Sequence, residues 1–230
     1  LKLIIRTHVK NEERLQLLKQ SIVSAQSQDF KYIVIVDDQS PLKEKVKEMV
    51  KSLNVSDYVL TEGKPDTKNG FYYSLKQMTD SPAILAVDDF VCSKYLRKEF
   101  DCVAEDIKEI KDIYGCIGFF ACYPSEIRKR YGNTNLWNIN IDALYALLFH
   151  IISPKLKEIM IKEWESVLKG EFPYPEMCDD LWLATVCKRE GLLAFNTLMD
   201  YIDHTGIKQR SFGDVVEDDN SCYTSPAFVK

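Results

Sequence analysis

Tyr32-Ile33-Val34-Ile35-Val36-Asp37-Asp38 is the stretch that decides the fold: a dense β-branched run that stops at two adjacent acids. A strand buried on both faces reads this way, whereas a strand with one wet face alternates apolar and polar residues. Ala83-Ile84-Leu85-Ala86-Val87-Asp88-Asp89 repeats the pattern, Leu3-Ile4-Ile5 before Arg6-Thr7-His8 is a shorter version, and Tyr58-Val59-Leu60 is a further strand candidate. Helical spacing fills the gaps. Leu15, Leu18, Ile22 and Ala25 recur between Glu12 and Gln28; Val46, Val50 and Leu53 follow Pro41; a third helix runs from Asn69 to Thr79. Buried strands separated by helices predict an α/β fold with a central, mostly parallel sheet flanked by helices. Ligands bind such sheets beyond the carboxyl ends of the strands, which is where Thr7, Asp37, Asp38, Asp88 and Asp89 fall.

The second half is less regular. Lys94 to Ile113 reads as a charged surface helix, Gly115 to Ala121 as a strand, Tyr123 to Asn140 as loop and Ala143 to Ile151 as another strand. Pro154 to Leu168 and Asp179 to Glu190 read as helices, the second ended by Gly191. Residues 1–213 form one domain in this reading, and 214–230 an acidic polar tail.

The chain has 230 residues, 46% hydrophobic and 28% charged, enough to bury a core without disulfides or metals as staples. A formal charge of −5 argues against a nucleic-acid binder, which would show a basic face. The longest apolar stretch, Ile141 to Ile152, is broken by Asp142 and His150 and falls short of the roughly 20 residues a bilayer span needs. A start at Leu1, inside a strand-like run and without Met, reads as a fragment of a longer chain. Seven cysteines, odd in number and with no Cys-x-x-Cys spacing, read as free thiols in a reducing, cytoplasmic compartment rather than as a disulfide framework or zinc site.

The strand-end acids carry the chemistry. Asp88 and Asp89 either cap the next turn or, because adjacent carboxylates repel, share a cation; a hard divalent ion bridging to substrate phosphates would serve. Asp37 and Asp38 can accept hydrogen bonds from a ribose or base. The first loop, Arg6-Thr7-His8-Val9-Lys10-Asn11, contains no glycine, which disfavours both a dinucleotide enzyme and a P-loop NTPase. Asp179-Asp180 at a helix start either complements the helix dipole or supplies a general base. His204, ahead of Lys208 and Arg210, is open between a metal or phosphate role and a plain surface histidine. His8 reads as a turn residue and His150 as a core one.

Taken in order, these segments resemble a family-two-type glycosyltransferase of the GT-A nucleotide-sugar fold, from Leu3 to about Ser211. Ile4-Ile5-Arg6-Thr7-His8-Val9-Lys10-Asn11-Glu12 resembles the family's opening strand and Asn-Glu, and Val36-Asp37-Asp38-Gln39-Ser40 its Val-Asp-Asp-Gly-Ser motif. Asn69-Gly70 with Ser74-Leu75 resembles the segment beside the nucleotide, and Leu85-Ala86-Val87-Asp88-Asp89 the metal motif. Asp179-Asp180-x-x-Leu183 with Gly191 resembles the Glu-Asp motif of the catalytic base, and His204-x-Gly206 with Ser211 the loop over the diphosphate. Phe90 departs from the third acid of the metal motif, Asp179 from the usual Glu, and Asp142 to Leu148 from the glycine-rich acceptor strand.

The resemblance implies a nucleotide-binding half, 1–91, and an acceptor half, 92–213, transferring sugar from a nucleoside diphosphate, UDP by preference, to a hydroxyl of a glycan, protein or lipid-linked acceptor. It implies Mn²⁺ or Mg²⁺ held by Asp89 and His204, with Asp88 in support, and inversion by Asp180 as base with Asp179 beside it. Thr7, Asp37, Asp38, Asn69, Asp88, Lys208 and Arg210 would bind the donor. Tyr123, Tyr131 and Trp137 are open between stacking on sugar rings and packing as a lid. A nucleotide-sugar-forming nucleotidyltransferase, or a non-catalytic nucleotide- or carbohydrate-binding module, is the alternative.

Overall fold

The computed structural model describes residues 2–78, 83–119, 128–139, 149–198 and 201–205. In chain order the elements are β1 (Lys2–Thr7), α1 (Glu12–Gln26), β2 (Tyr32–Asp37), α2 (Lys43–Ser52), β3 (Asp57–Leu60), α3 (Thr67–Lys76), β4 (Ala83–Val87), β5 (Phe90–Cys92) and α4 (Leu96–Ile110). There follow β6 (Tyr114–Gly118), β7 (Arg128–Arg130), β8 (Leu136–Ile139), β9 (Phe149–Ile152), α5 (Pro154–Leu168), α6 (Asp179–Arg189), β10 (Leu193–Thr197) and β11 (Ile202–His204).

Nine strands make the main sheet in the order β3-β2-β1-β4-β9-β6-β10-β8-β7. β3, β2, β1 and β4 are mutually parallel, as are β6 and β10, while β9 runs antiparallel between β4 and β6. Alternation along the strands feeds two cores. Leu3 and Ile5 pack with Leu18, Ile22, Val46 and Val103 under α1, α2 and α4, whereas Ile4 packs with Phe71, Leu75, Trp164 and Trp182 under α3, α5 and α6. The chain leaves β1 on one side to build β2 and β3 and returns to its other side for β4. Such a reversal is where parallel sheets form a ligand-binding crevice, here at the carboxyl ends of β1 and β4.

Local chemistry sets where the helices begin and end. The Asn11 side chain accepts the Arg14 N–H at 2.9 Å and starts α1. Ser153 caps α5 ahead of Pro154 at the first helical position. Gly191, at φ +64°, takes the left-handed turn that ends α6.

The segment read as loop from Tyr123 to Asn140 contains the antiparallel pair β7–β8, with Lys129 opposite Asn138. Arg128-Lys129-Arg130 carries no apolar period, so its strand character comes from pairing at the sheet's edge. β5, β10 and β11 are additional to the expected elements, and the helix expected to open at Pro41 begins at Lys43. Cys92, Cys102, Cys116, Cys178 and Cys187 are free thiols; Cys122 and Cys222 lie outside the described residues, as do 141–148 and the tail. No described helix is long and apolar enough to cross a membrane.

Candidate functional site

Three polar clusters gather where β1, β2 and β4 end. The first is a knot around Asp37 and Asp38. Asp37, fully buried, accepts the Ser40 N–H at 2.8 Å and the Tyr58 hydroxyl at 2.7 Å. Asp38 accepts the Thr61 hydroxyl at 2.8 Å and the Asp66 N–H at 2.8 Å, with the Asn69 amide at 3.5 Å. Burial pushes the Asp38 carboxyl up from its ordinary range while these donors pull it back, and burial with the Asp37 bond pushes the Tyr58 phenol up. The loops after β1 and β2 are sewn together here, since Val9 N–H donates to Ser40 Oγ at 2.7 Å and His8 Nδ1 lies 2.8 Å from the Asp38 carbonyl. Gln39 sits at φ +54°, in the left-handed region where the resembling motif has glycine.

The second cluster surrounds Asp88 and Asp89, and its cation is Arg14. From the first turn of α1 the guanidinium reaches both acids, Nη1 to Asp89 Oδ2 at 2.9 Å and Nη2 to Asp88 Oδ1, while Thr7 Oγ1 donates to Asp88 Oδ2. Arg14 is 1% exposed, Asp88 1% and Asp89 5%. Burial pushes the Asp88 carboxyl up, Arg14 pulls it down and the neighbouring Asp89 adds to the rise. The same helix grips the backbone beyond: Ser21 Oγ accepts the Phe90 N–H at 2.9 Å and Ser24 Oγ the Cys92 N–H at 2.7 Å.

The third cluster lies on the opposite face of β1. Arg6 forms an ion pair with Asp179 at the start of α6, donates to the Thr67 carbonyl at 2.8 Å and lies 5.6 Å from the Phe71 ring centre. A Cβ on Gly70 would meet Arg6 Cδ at 3.2 Å and Asp38 Cβ at 3.3 Å, so a glycine lets α3 approach both. Asp180 turns the other way. Its Oδ1 accepts its own helix's Leu181 N–H at 3.0 Å and lies 2.7 Å from Cys178 Sγ. Beneath Arg6, His150 and Asn196 crowd Gly118: a Cβ there would sit 2.8 Å from His150 Nε2 and 2.2 Å from Asn196 Oδ1. Burial pulls His150 down to about 4.

The predicted site residues therefore fall at one edge of the sheet but in separate sets: Asp37, Asp38 and Asn69 in the knot, Thr7, Asp88 and Asp89 with Arg14, and Asp179 with Arg6. The main chain of β11 does run beside the acid turn, with His204 opposite Phe90 and the Thr205 N–H donating to the Asp89 carbonyl at 2.9 Å. Lys208 and Arg210 lie outside the described residues. So does Tyr123, whereas Tyr131 packs edge-on against Phe195, 5.3 Å away, and Trp137 Nε1 donates to the Leu198 carbonyl.

The divalent ion that the resemblance implies does not fit these residues as they stand. Both carboxyls share an internal guanidinium, and among the described residues no group of three or more His, Cys, Asp and Glu could hold a metal ion. Arg14 and Arg6 are the residues the sequence reading passed over. Arg14 had a signal: it lies on the helical stripe of Leu18, Ser21, Ile22 and Ala25, all buried, and a charge on a core stripe demands a buried partner.

No family model matches the chain, and no curated protein matches its sequence. Solved structures do. The chain is similar to residues 1–349 of TarS from S. aureus at a TM-score of 0.56 and 15% identity, over 90% of this chain and 60% of that one; the same protein has been solved with UDP-GlcNAc. It is also similar to the mannosyltransferase PcManGT from Pyrobaculum calidifontis, solved with GDP-Man and Mn²⁺, at 0.51 and 16% over 84% of this chain and 53% of that one. A third likeness is 4-diphosphocytidyl-2C-methyl-D-erythritol synthase from Anaerococcus prevotii, at 0.52 and 13% over 89% and 91%. The chain thus spans about 60% of the TarS structure. What it shares with all three is a fold, an α/β sheet of the GT-A type.

Proposed function

We propose that this chain binds a nucleoside-diphosphate sugar at the carboxyl ends of β1, β2 and β4 and transfers the sugar to a hydroxyl acceptor. The observation that carries it is the convergence at that one edge of Thr7, Asp37, Asp38, Asn69, Asp88 and Asp89 with the start of α6, linked through Arg6. The UDP-GlcNAc complex of the similar TarS chain makes a uridine nucleotide the first donor to try.

Buried and already hydrogen-bonded, Asp37 and Asp38 act through the loops they hold, shaping the nucleoside side of the crevice. Asp180, the more exposed acid of its pair, takes the acceptor's proton as the new glycosidic bond forms, while Arg6 holds Asp179 in an ion pair beside it. Lys208 and Arg210 grip the departing diphosphate. A first loop without glycine, its Val9 N–H spent on Ser40, offers no cradle for the triphosphate of a nucleotidyltransferase. One observation favours a non-catalytic binding module instead: the acid pair already has a cation in Arg14.

The test is nucleoside-diphosphate release from UDP-GlcNAc, UDP-glucose and GDP-mannose, paired with thermal shifts on adding UDP or GDP. Release that disappears in Asp180→Asn, with the nucleotide's thermal shift intact, is the expected result. Release lost in Asp179→Asn but not in Asp180→Asn moves the base by one residue. A thermal shift without release from any donor selects the binding module, and neither signal refutes the proposal.

A further inference from the structure

The Asp88–Asp89 turn is held as a structural joint would be. α1 presents Arg14, Ser21 and Ser24 to one short stretch of chain. Arg14 takes both carboxyls, Ser21 lies 3.1 Å and 2.9 Å from the Asp88 and Phe90 carbonyls and accepts the Phe90 N–H, and Ser24 accepts the Cys92 N–H. From the other side Thr7 Oγ1 closes on Asp88 and the Thr205 N–H on the Asp89 carbonyl. A divalent ion at this pair would have to displace a guanidinium that is 1% exposed and leave that charge buried without its counter-ions, a cost that normally exceeds what a surface ion pair ever returns.

We propose that Arg14 is the resident cation of the Asp88–Asp89 turn. The pair is an internal clamp fastening α1 to the end of β4, and ligand binding in the adjoining crevice proceeds without a divalent metal. The second part rests on the nucleotide reading above; the first part does not. Guanidinium and divalent ion answer the same electrostatic need, two adjacent carboxylates in a poorly solvated place, and this chain carries its answer in its own first helix.

The test uses Mn²⁺ alone, so that it stands apart from the identity of any nucleotide. Titration of the intact 230-residue chain with Mn²⁺, followed by electron paramagnetic resonance of the free ion, is expected to show no saturable site up to millimolar metal. A saturable Mn²⁺ site that is lost in Asp89→Asn overturns the proposal. One that survives in Asp89→Asn lies elsewhere and leaves the clamp standing. Arg14→Met, which keeps the aliphatic stem and removes the charge, is expected to create Mn²⁺ binding that wild type lacks and to recover part of its lost melting temperature when Mn²⁺ is added. Arg14→Met combined with Asp88→Asn and Asp89→Asn is expected to recover stability without binding the ion. If neither variant folds, the wild-type titration decides alone.

Discussion

The same dipeptide, Asp-Asp at the end of a buried parallel strand, is solved in two different ways at β2 and β4. After β2, the charge of Asp37 and Asp38 is dispersed over neutral donors: two backbone N–H groups, the Tyr58 phenol, the Thr61 hydroxyl and the Asn69 amide. After β4, Asp88 and Asp89 meet a full positive charge from Arg14. A hydrogen-bonded knot tolerates loss of charge, because an amide can take a carboxylate's place among neutral donors. A charge clamp does not, because removing one sign strands the other in a low-dielectric interior. The contrast follows from what each strand end faces: β2 ends against loops rich in donors, β4 against a helix that offers one long cation.

The largest effect should come from breaking the clamp. Arg14→Met leaves two buried carboxyls without their cation and should lower unfolding stability by about 3–5 kcal/mol, read from urea melts. On the far face of the sheet His150 shows a third solution, since its Nδ1 finds no partner among the described residues and the ring stays neutral. Its folded value, about 4, lies below the unfolded 6.5, so the unfolded chain takes up the proton first as pH falls. The contribution is complete above pH 6.5 and is lost between there and pH 4, roughly 3 kcal/mol in all. His150→Gln should flatten the pH dependence of stability across that window relative to wild type; an unchanged slope would remove the histidine from the account.

The knot should respond less. Asp37→Ala orphans the Ser40 N–H and the Tyr58 hydroxyl and should cost about 1–3 kcal/mol, whereas Asp37→Asn, which can still serve both, should cost under about 1 kcal/mol. Equal losses for the two would mean that the knot, like the clamp, depends on charge. The smallest effect belongs to Asn11→Ala, which removes the cap that starts α1 one turn from Arg14 and should cost about 1 kcal/mol.

The sequence was legible where one element announces its own surroundings. Ile33–Val36 and Ala83–Ala86 are apolar and buried on every residue because helices cover both faces, and the stripe Leu15, Leu18, Ile22 states which side of α1 is buried. The expectation that ligands bind at the carboxyl ends was drawn from that pattern. Strands that owe their existence to a partner left no such mark: Arg128–Arg130 pairs with β8, Phe90–Cys92 with β11, and Leu193–Thr197 closes the sheet between β6 and β8. The need for a cation at Asp88–Asp89 was readable from like-charge repulsion, but its identity was not, since Arg14 and the acids are distant in sequence and meet only when α1 packs across β4's end. Likewise Asp179 and Asp180 are neighbours whose side chains diverge, one to Arg6 and one to its own helix.

The most direct test of the account is a crystal structure of the 230-residue chain grown with UDP and Mn²⁺, with an anomalous difference map at the manganese edge. The account predicts UDP at the carboxyl ends of β1, β2 and β4, Arg14 still bonded to both Asp88 and Asp89, and no anomalous peak at the pair. A manganese peak on Asp89 with Arg14 swung away, or UDP bound at another edge of the sheet, would contradict it.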